Sequence, residues 1–249
     1  MPGGPTLVAV AHGSRDPRSA ATVATLLDQV RAARPAASAR LAFLDLNAPS
    51  VGRVLDTVAA TGETHAVVVP LLLGSAFHAR VDLPALLAEA AARHPRLRLT
   101  QADVFGADPR LIGLLDDRVR AARAAHGWDD APRQLGIALA AVGSSTAAAN
   151  RETARLARRF AAHTGSPTEV CFATAQPSLT RAVTRLRARG ADRVLVAPWF
   201  LAPGLLTDRL RDQDPLLPHA AVLGPDPVLA DIIWDRYDTA IARTLPLSA

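Results

Sequence analysis

Short, almost unbroken apolar runs alternate along the chain with longer stretches whose apolar positions recur every third or fourth residue. Leu7–Ala11, Leu41–Leu46, Ala66–Leu73 and Leu97–Ala102 read as strands. Between them, Asp16–Arg34, Val51–Ala60 and a segment from Pro84 to His94-Pro95 read as helices, and Asp108–Ala125 follows as another. In the first of these helices Val23, Leu26, Leu27 and Val30 form one apolar stripe. Ser50 is placed to cap the second, while Pro84 and Pro109 suit first helical turns. Ala66–Leu73 is nearly all Val and Leu, as a strand covered on both faces should be. This alternation predicts the α/β class, with a parallel sheet joined by right-handed crossovers.

The breaker-rich stretch His126-Gly127-Trp128-Asp129-Asp130-Ala131-Pro132 ends that pattern, and the pattern then begins again. Gly13-Ser14 corresponds to Gly143-Ser144, Pro49-Ser50 to Pro177-Ser178, and Gly62 to Gly190. Val67-Val68-Val69-Pro70 corresponds to Leu195-Val196-Ala197-Pro198, and Gly106-Ala107-Asp108-Pro109 to Gly224-Pro225-Asp226-Pro227. Matches in constant order indicate an internal duplication of about 120 residues. The expected architecture is two similar α/β domains, 1–127 and 128–249, each a parallel sheet of about four strands flanked by helices, with a cleft between them. Since the two halves together would complete that cleft, a monomer is the simpler expectation.

Length and composition narrow the setting. A chain of 249 residues with 49% hydrophobic residues can bury the cores of two such domains. The net charge is +5, and every basic side chain is an arginine. That arginine surface fits ordinary solvation or affinity for a polyanionic partner; no nucleic-acid partner is expected. One cysteine, Cys171, excludes an intrachain disulfide and a four-cysteine cluster. No apolar run approaches the roughly 20 residues that span a bilayer, and the N-terminus lacks the basic start of a signal peptide. A cytoplasmic protein without membrane attachment is expected.

The candidate chemistry sits after two strands. Ala11-His12-Gly13-Ser14-Arg15-Asp16-Pro17 follows the first, and Gly74-Ser75-Ala76-Phe77-His78-Ala79-Arg80 follows the third. In an open α/β sheet ligands lie beyond the carboxyl ends of the strands, where the chain order reverses. If the first and third strands are neighbours, His12 and His78 face one cleft. The second copy has Val142 for His12, Ser145 for Arg15 and Leu206 for His78, so a single site, lined chiefly by the first half, is expected. The spacing matches no local zinc motif. Two imidazoles leave coordination positions open, which suits a metal that is passed on rather than a structural one. Ser14, Ser75 and Asn47 could bond a substrate, although each also suits a tight turn.

With these residues assembled, three segments resemble the sirohydrochlorin chelatase family, whose relatives include cobaltochelatases and ferrochelatases. They are His12–Pro17, Phe43–Ser50, and Pro70–Leu73 with Phe77–Pro84. The resemblance implies an ATP-independent lyase that inserts a divalent ion, Co²⁺, Fe²⁺ or Ni²⁺, into a tetrapyrrole, with the metal as substrate and no organic cofactor. It implies that His12 and His78 are the catalytic, metal-handling residues of sirohaem or cobalamin biosynthesis. A neutral imidazole can bind the incoming metal or accept a pyrrole proton. Sirohydrochlorin is a polycarboxylate, so Arg15 and Arg80 suit it as planar carboxylate partners, with Ser14, Ser75 and Asp45 also at the substrate. Asp45 stands where many members carry glutamate, one methylene longer.

Two other readings share these residues. A non-catalytic metal or tetrapyrrole carrier would use the same histidines. A phosphoryl-transfer enzyme with His12 as nucleophile would resemble the Arg-His-Gly start of histidine phosphatases, but Ala11 stands at the arginine position. His65, His94, His126, His163 and His219 read as surface residues, and Cys171, Trp199 and Trp234 as packing.

Overall fold

The computed structural model describes residues 4–74, 81–106, 108–128 and 134–244. The first half runs β1 (Thr6–Ala11), α1 (Pro17–Ala33), β2 (Ala39–Phe43), α2 (Val51–Ala60), β3 (His65–Pro70), α3 (Leu83–Arg93), β4 (Arg98–Gln101) and α4 (Pro109–Ala125). The second runs β5 (Leu135–Ala141), α5 (Ala147–Thr164), β6 (Thr168–Phe172), α6 (Leu179–Ala188), β7 (Arg193–Pro198), α7 (Leu205–Gln213) and α8 (Pro227–Ala242).

Two parallel sheets form, in the orders β2-β1-β3-β4 and β6-β5-β7. In the first, β1 is buried along its whole length, because helices cover both faces of this central strand. Val8, Val10 and Val68 point to one face and pack with Val54, Leu55 and Val58 of α2 and Leu83 and Leu87 of α3. The crossover from β1 to β2 goes one way and that from β2 to β3 returns past β1, so the order reverses at β1. That leaves the carboxyl ends of β1 and β3 side by side, with Leu71 N–H bonded to Val10 O at 2.8 Å.

The duplication extends to details. Gly13 and Gly143 take φ +98° and +94°, and Gly62 and Gly190 take +83° and +91°. Ser50 and Ser178 cap α2 and α6 by accepting the Arg53 and Arg181 N–H groups. Asp108 and Asp226 cap α4 and α8, each followed by proline. The copies are not equal in strand count. Where a fourth strand of the second sheet would lie, a single bridge joins His219 to Val196.

The compact units do not follow the sequence boundary at 127/128. One comprises Met1–Gly106 with Pro225–Ala249, the other Ala107–Gly224. Each repeat's last helix therefore packs in the other repeat's unit: α8 lies on α1, β3 and β4, while α4 lies on β7 and α5. The contacts of α8 are specific. Trp234 Nε1–H donates to Val30 O at 3.0 Å, the Tyr237 hydroxyl donates to Pro5 O at 2.5 Å, and Arg34 pairs with Asp238 at 2.6 Å. Among the described residues no helix is long and apolar enough to cross a membrane.

Strand ends also differ from the sequence expectation. β2 stops at Phe43 rather than Leu46 because the backbone turns over at Leu46, which has φ +62°. β3 stops at Pro70 rather than Leu73, with Leu71 N–H making the last bond to β1, at Val10 O.

Candidate functional site

His12 is the first residue beyond β1, and it is exposed. The β1–β2 pairing continues past the end of β2, with Leu44 N–H donating to Ala11 O at 2.9 Å and Asp45 N–H to His12 O at 3.0 Å. This fixes the two connections together before either turns away. At the next position the approach is closer than a side chain allows. A Cβ built on Gly13 would lie 1.8 Å from the Asp45 carbonyl oxygen. Only glycine meets both that contact and the positive φ.

The loop from β1 to α1 is held by its own polar groups. Ser14 N–H donates to Asn47 Oδ1 at 2.7 Å, and Asp16 N–H donates to Ser14 Oγ at 3.1 Å. Asp16 accepts the Arg18 N–H at 3.0 Å as the cap of α1, and its buried carboxylate also takes the Arg18 guanidinium at 2.5 Å. The hydrogen bond from that guanidinium, then the one from the Arg18 backbone, holds the Asp16 carboxyl below the usual carboxylate range. Asp45 Oδ1 accepts the Leu46 N–H at 2.7 Å.

Of the residues singled out from sequence, the structure brings together His12, Ser14, Asp45 and Asn47, with Arg15 exposed on the same loop as His12. Asn47 fills the turn role that the sequence left open, since its Oδ1 is taken by Ser14. Ser75, His78 and Arg80 lie outside the described residues. Among the described residues, no group of three or more His, Cys, Asp or Glu side chains is arranged to hold a metal. Leu46 escaped the sequence reading. Its only trace there is an extra residue between Phe43 and Pro49, relative to the span from Phe172 to Pro177.

The second copy keeps the scaffold and changes its surface. Val142 takes the place of His12, with its carbonyl oxygen accepting the Thr174 N–H at 3.0 Å. Ser144 N–H again finds an asparagine, here Asn150 at 2.8 Å. The histidines read as surface residues divide. His65 begins β3 with Nε2 2.9 Å from Thr100 Oγ1 and Nδ1 2.8 Å from the Arg98 guanidinium, and burial lowers its pKa. His219 lies on the bridge beside β7, and burial pushes it down to about 4. Neither is the solvated side chain expected from sequence. Burial also pushes the Cys171 thiol up to about 12, in keeping with a packing role.

One family model, CbiX, matches the chain twice, over residues 6–122 and 136–240. The chain belongs to the CbiX family. Among curated relatives of this CbiX-family chain, the sirohydrochlorin ferrochelatase of Priestia megaterium is 25% identical over 207 residues, covering 82% of this chain and 76% of that protein. The sirohydrochlorin cobaltochelatase of the same organism is 25% identical over 208 residues, covering 82% and 66%. The sirohydrochlorin cobaltochelatase of Methanothermobacter thermautotrophicus is 27% identical over 130 residues, 45% of this chain and 89% of its own. A solved structure of SirB from Bacillus subtilis with Fe³⁺ superposes with a TM-score of 0.78 at 21% identity over 96% of both chains. It shows the same fold.

Proposed function

We propose that this CbiX-family chain inserts a divalent metal ion into sirohydrochlorin or a closely related tetrapyrrole without ATP, the ion being Co²⁺, Fe²⁺ or Ni²⁺. The observation that carries this reading is the placement of His12. It is an exposed imidazole at the carboxyl end of the central strand, at the point where strand order reverses, and the second repeat has valine there. Its duplicated scaffold belongs to a family whose curated relatives carry chelatase names.

In this reading His12 and His78 receive the ion and take up the pyrrole protons in turn, since one nitrogen lone pair cannot do both at once. Arg15 and Arg80 bind peripheral carboxylates through paired N–H donors, and Ser14 and Ser75 assist. Asp45 acts chiefly through its main chain, which fixes His12 and Gly13. The test is an anaerobic absorbance assay of sirohydrochlorin with each metal, at substrate in large excess over protein. The reading expects product to exceed the protein many times over. Product limited to one equivalent would make the chain a carrier, and no spectral change with any metal would refute both.

A further inference from the structure

Among the described residues Leu46 is the only one other than glycine with a positive φ, +62°. A positive φ is disfavoured for a leucine because its Cβ crowds the following carbonyl oxygen. The same side chain is 49% exposed, so it recovers little by packing. A residue that is both strained and exposed needs a reason outside the fold.

The neighbours of Leu46 are tied in place. Its N–H is held by the Asp45 carboxylate, Asn47 N–H donates to Asp45 O at 2.7 Å, and Asn47 Oδ1 holds Ser14. The second copy supplies the control. There, as in the first, the phenylalanine that ends the strand donates to the proline oxygen at 2.9 Å, from Phe43 to Pro49 and from Phe172 to Pro177. The frames agree, but the first holds one residue more, and the second has no non-glycine residue at positive φ. The strained leucine thus occurs only in the copy that carries His12, one residue beyond the amide bonded to its carbonyl oxygen.

Its exposure is part of a pattern. Five large apolar side chains are exposed among the described residues, and four follow the carboxyl ends of strands. They are Leu46 after β2, Val81 between β3 and α3, Val142 after β5, and Leu205 at the start of α7. Only Leu216 lies elsewhere. Beside His12 and Arg15 of the neighbouring loop, the exposed Leu46 side chain suits a ligand with an apolar face and a charged rim.

We infer that Leu46 is a substrate-positioning residue, held at positive φ in the tight turn closed by Asn47 N–H on Asp45 O so that its side chain packs against the face of the tetrapyrrole ring. This rests on the proposed chelatase function. The test uses Leu46→Gly and Leu46→Asn, residues that accept positive φ but lack the apolar side chain. Sirohydrochlorin binding is measured by absorbance titration, alongside Tm and saturating turnover. The expected result is a Tm no lower than that of the parent, a Kd raised about fivefold or more, and kcat within about twofold. An unchanged Kd in both variants, with the parent active, overturns the inference and leaves the chelatase reading standing. A Tm that falls together with affinity also overturns it, since the leucine would then be structural. A parent that neither binds nor metallates sirohydrochlorin refutes both.

Discussion

The carbonyl oxygen of Asp45 lies 1.8 Å from the place where a Cβ on residue 13 would stand. A glycine there is what lets the loop bearing His12 close against the loop bearing Asp45. Gly13→Ala must push the two apart and also meet φ +98°. A loss of about 3 kcal/mol or more in stability follows, with loss of activity. Gly143→Ala is the matched control. Its φ is +94°, but the nearest atoms to a new Cβ, those of Ala175 and Phe172, stand at 3.0 Å, so a few tenths of an ångström of adjustment relieves the contact. Thermal unfolding of the two variants should show a clearly lower Tm for the alanine at 13.

Much of this architecture was legible in the chain, and the gaps have physical causes. The buried strands β1 and β3 and the helix α2 announce themselves, since unbroken apolar runs and a Ser-capped amphipathic repeat have few alternatives. The repeat was legible because each copy needs glycine or proline at the same turns. The exchange of α4 and α8 was not. Both follow glycine, open with Asp-Pro and carry an apolar stripe, so the pattern says that each covers a sheet without saying which. At the site, the adjacency of β1 and β3 follows from topology alone, whereas the turn at Leu46 depends on backbone angles that no periodicity encodes.

The packing of α8 on the first sheet is expected to dominate the stability of that unit. Trp234 is 3% exposed, meets Tyr237 edge-on at 5.1 Å, and lies under the Arg34 guanidinium at 4.5 Å. Trp234→Ala leaves a cavity, removes the donor to Val30 O, and should cost about 3–5 kcal/mol. Denaturant unfolding checks this. A loss under about 1 kcal/mol would mean that α8 contributes little to the unit.

Stability should also depend on pH through His219. In the fold its pKa is about 4, held down first by burial and then by Arg211, against an ordinary value of 6.5. Above about pH 7 the ring is neutral folded or unfolded, and it has no effect. As pH falls through the window from 6.5 toward 4, the unfolded chain takes up a proton that the folded chain refuses, so stability declines. With the ring partly exposed, about 1 kcal/mol by pH 5 is a reasonable size. Tm measured from pH 7.5 to 5.0 should fall less in His219→Leu than in the parent. Parallel curves would remove His219 from the acid response.

The most direct test of the account is the rate of metal insertion by His12→Ala beside the parent, with sirohydrochlorin and each of Co²⁺, Fe²⁺ and Ni²⁺ under anaerobic conditions. His12 is exposed, and its main-chain bond to Asp45 survives the change, so Tm should stay within about 2 °C of the parent. The predicted result is a fall in kcat of about 100-fold or more with every metal that the parent uses. A folded variant that turns over at the parent's rate would contradict the account.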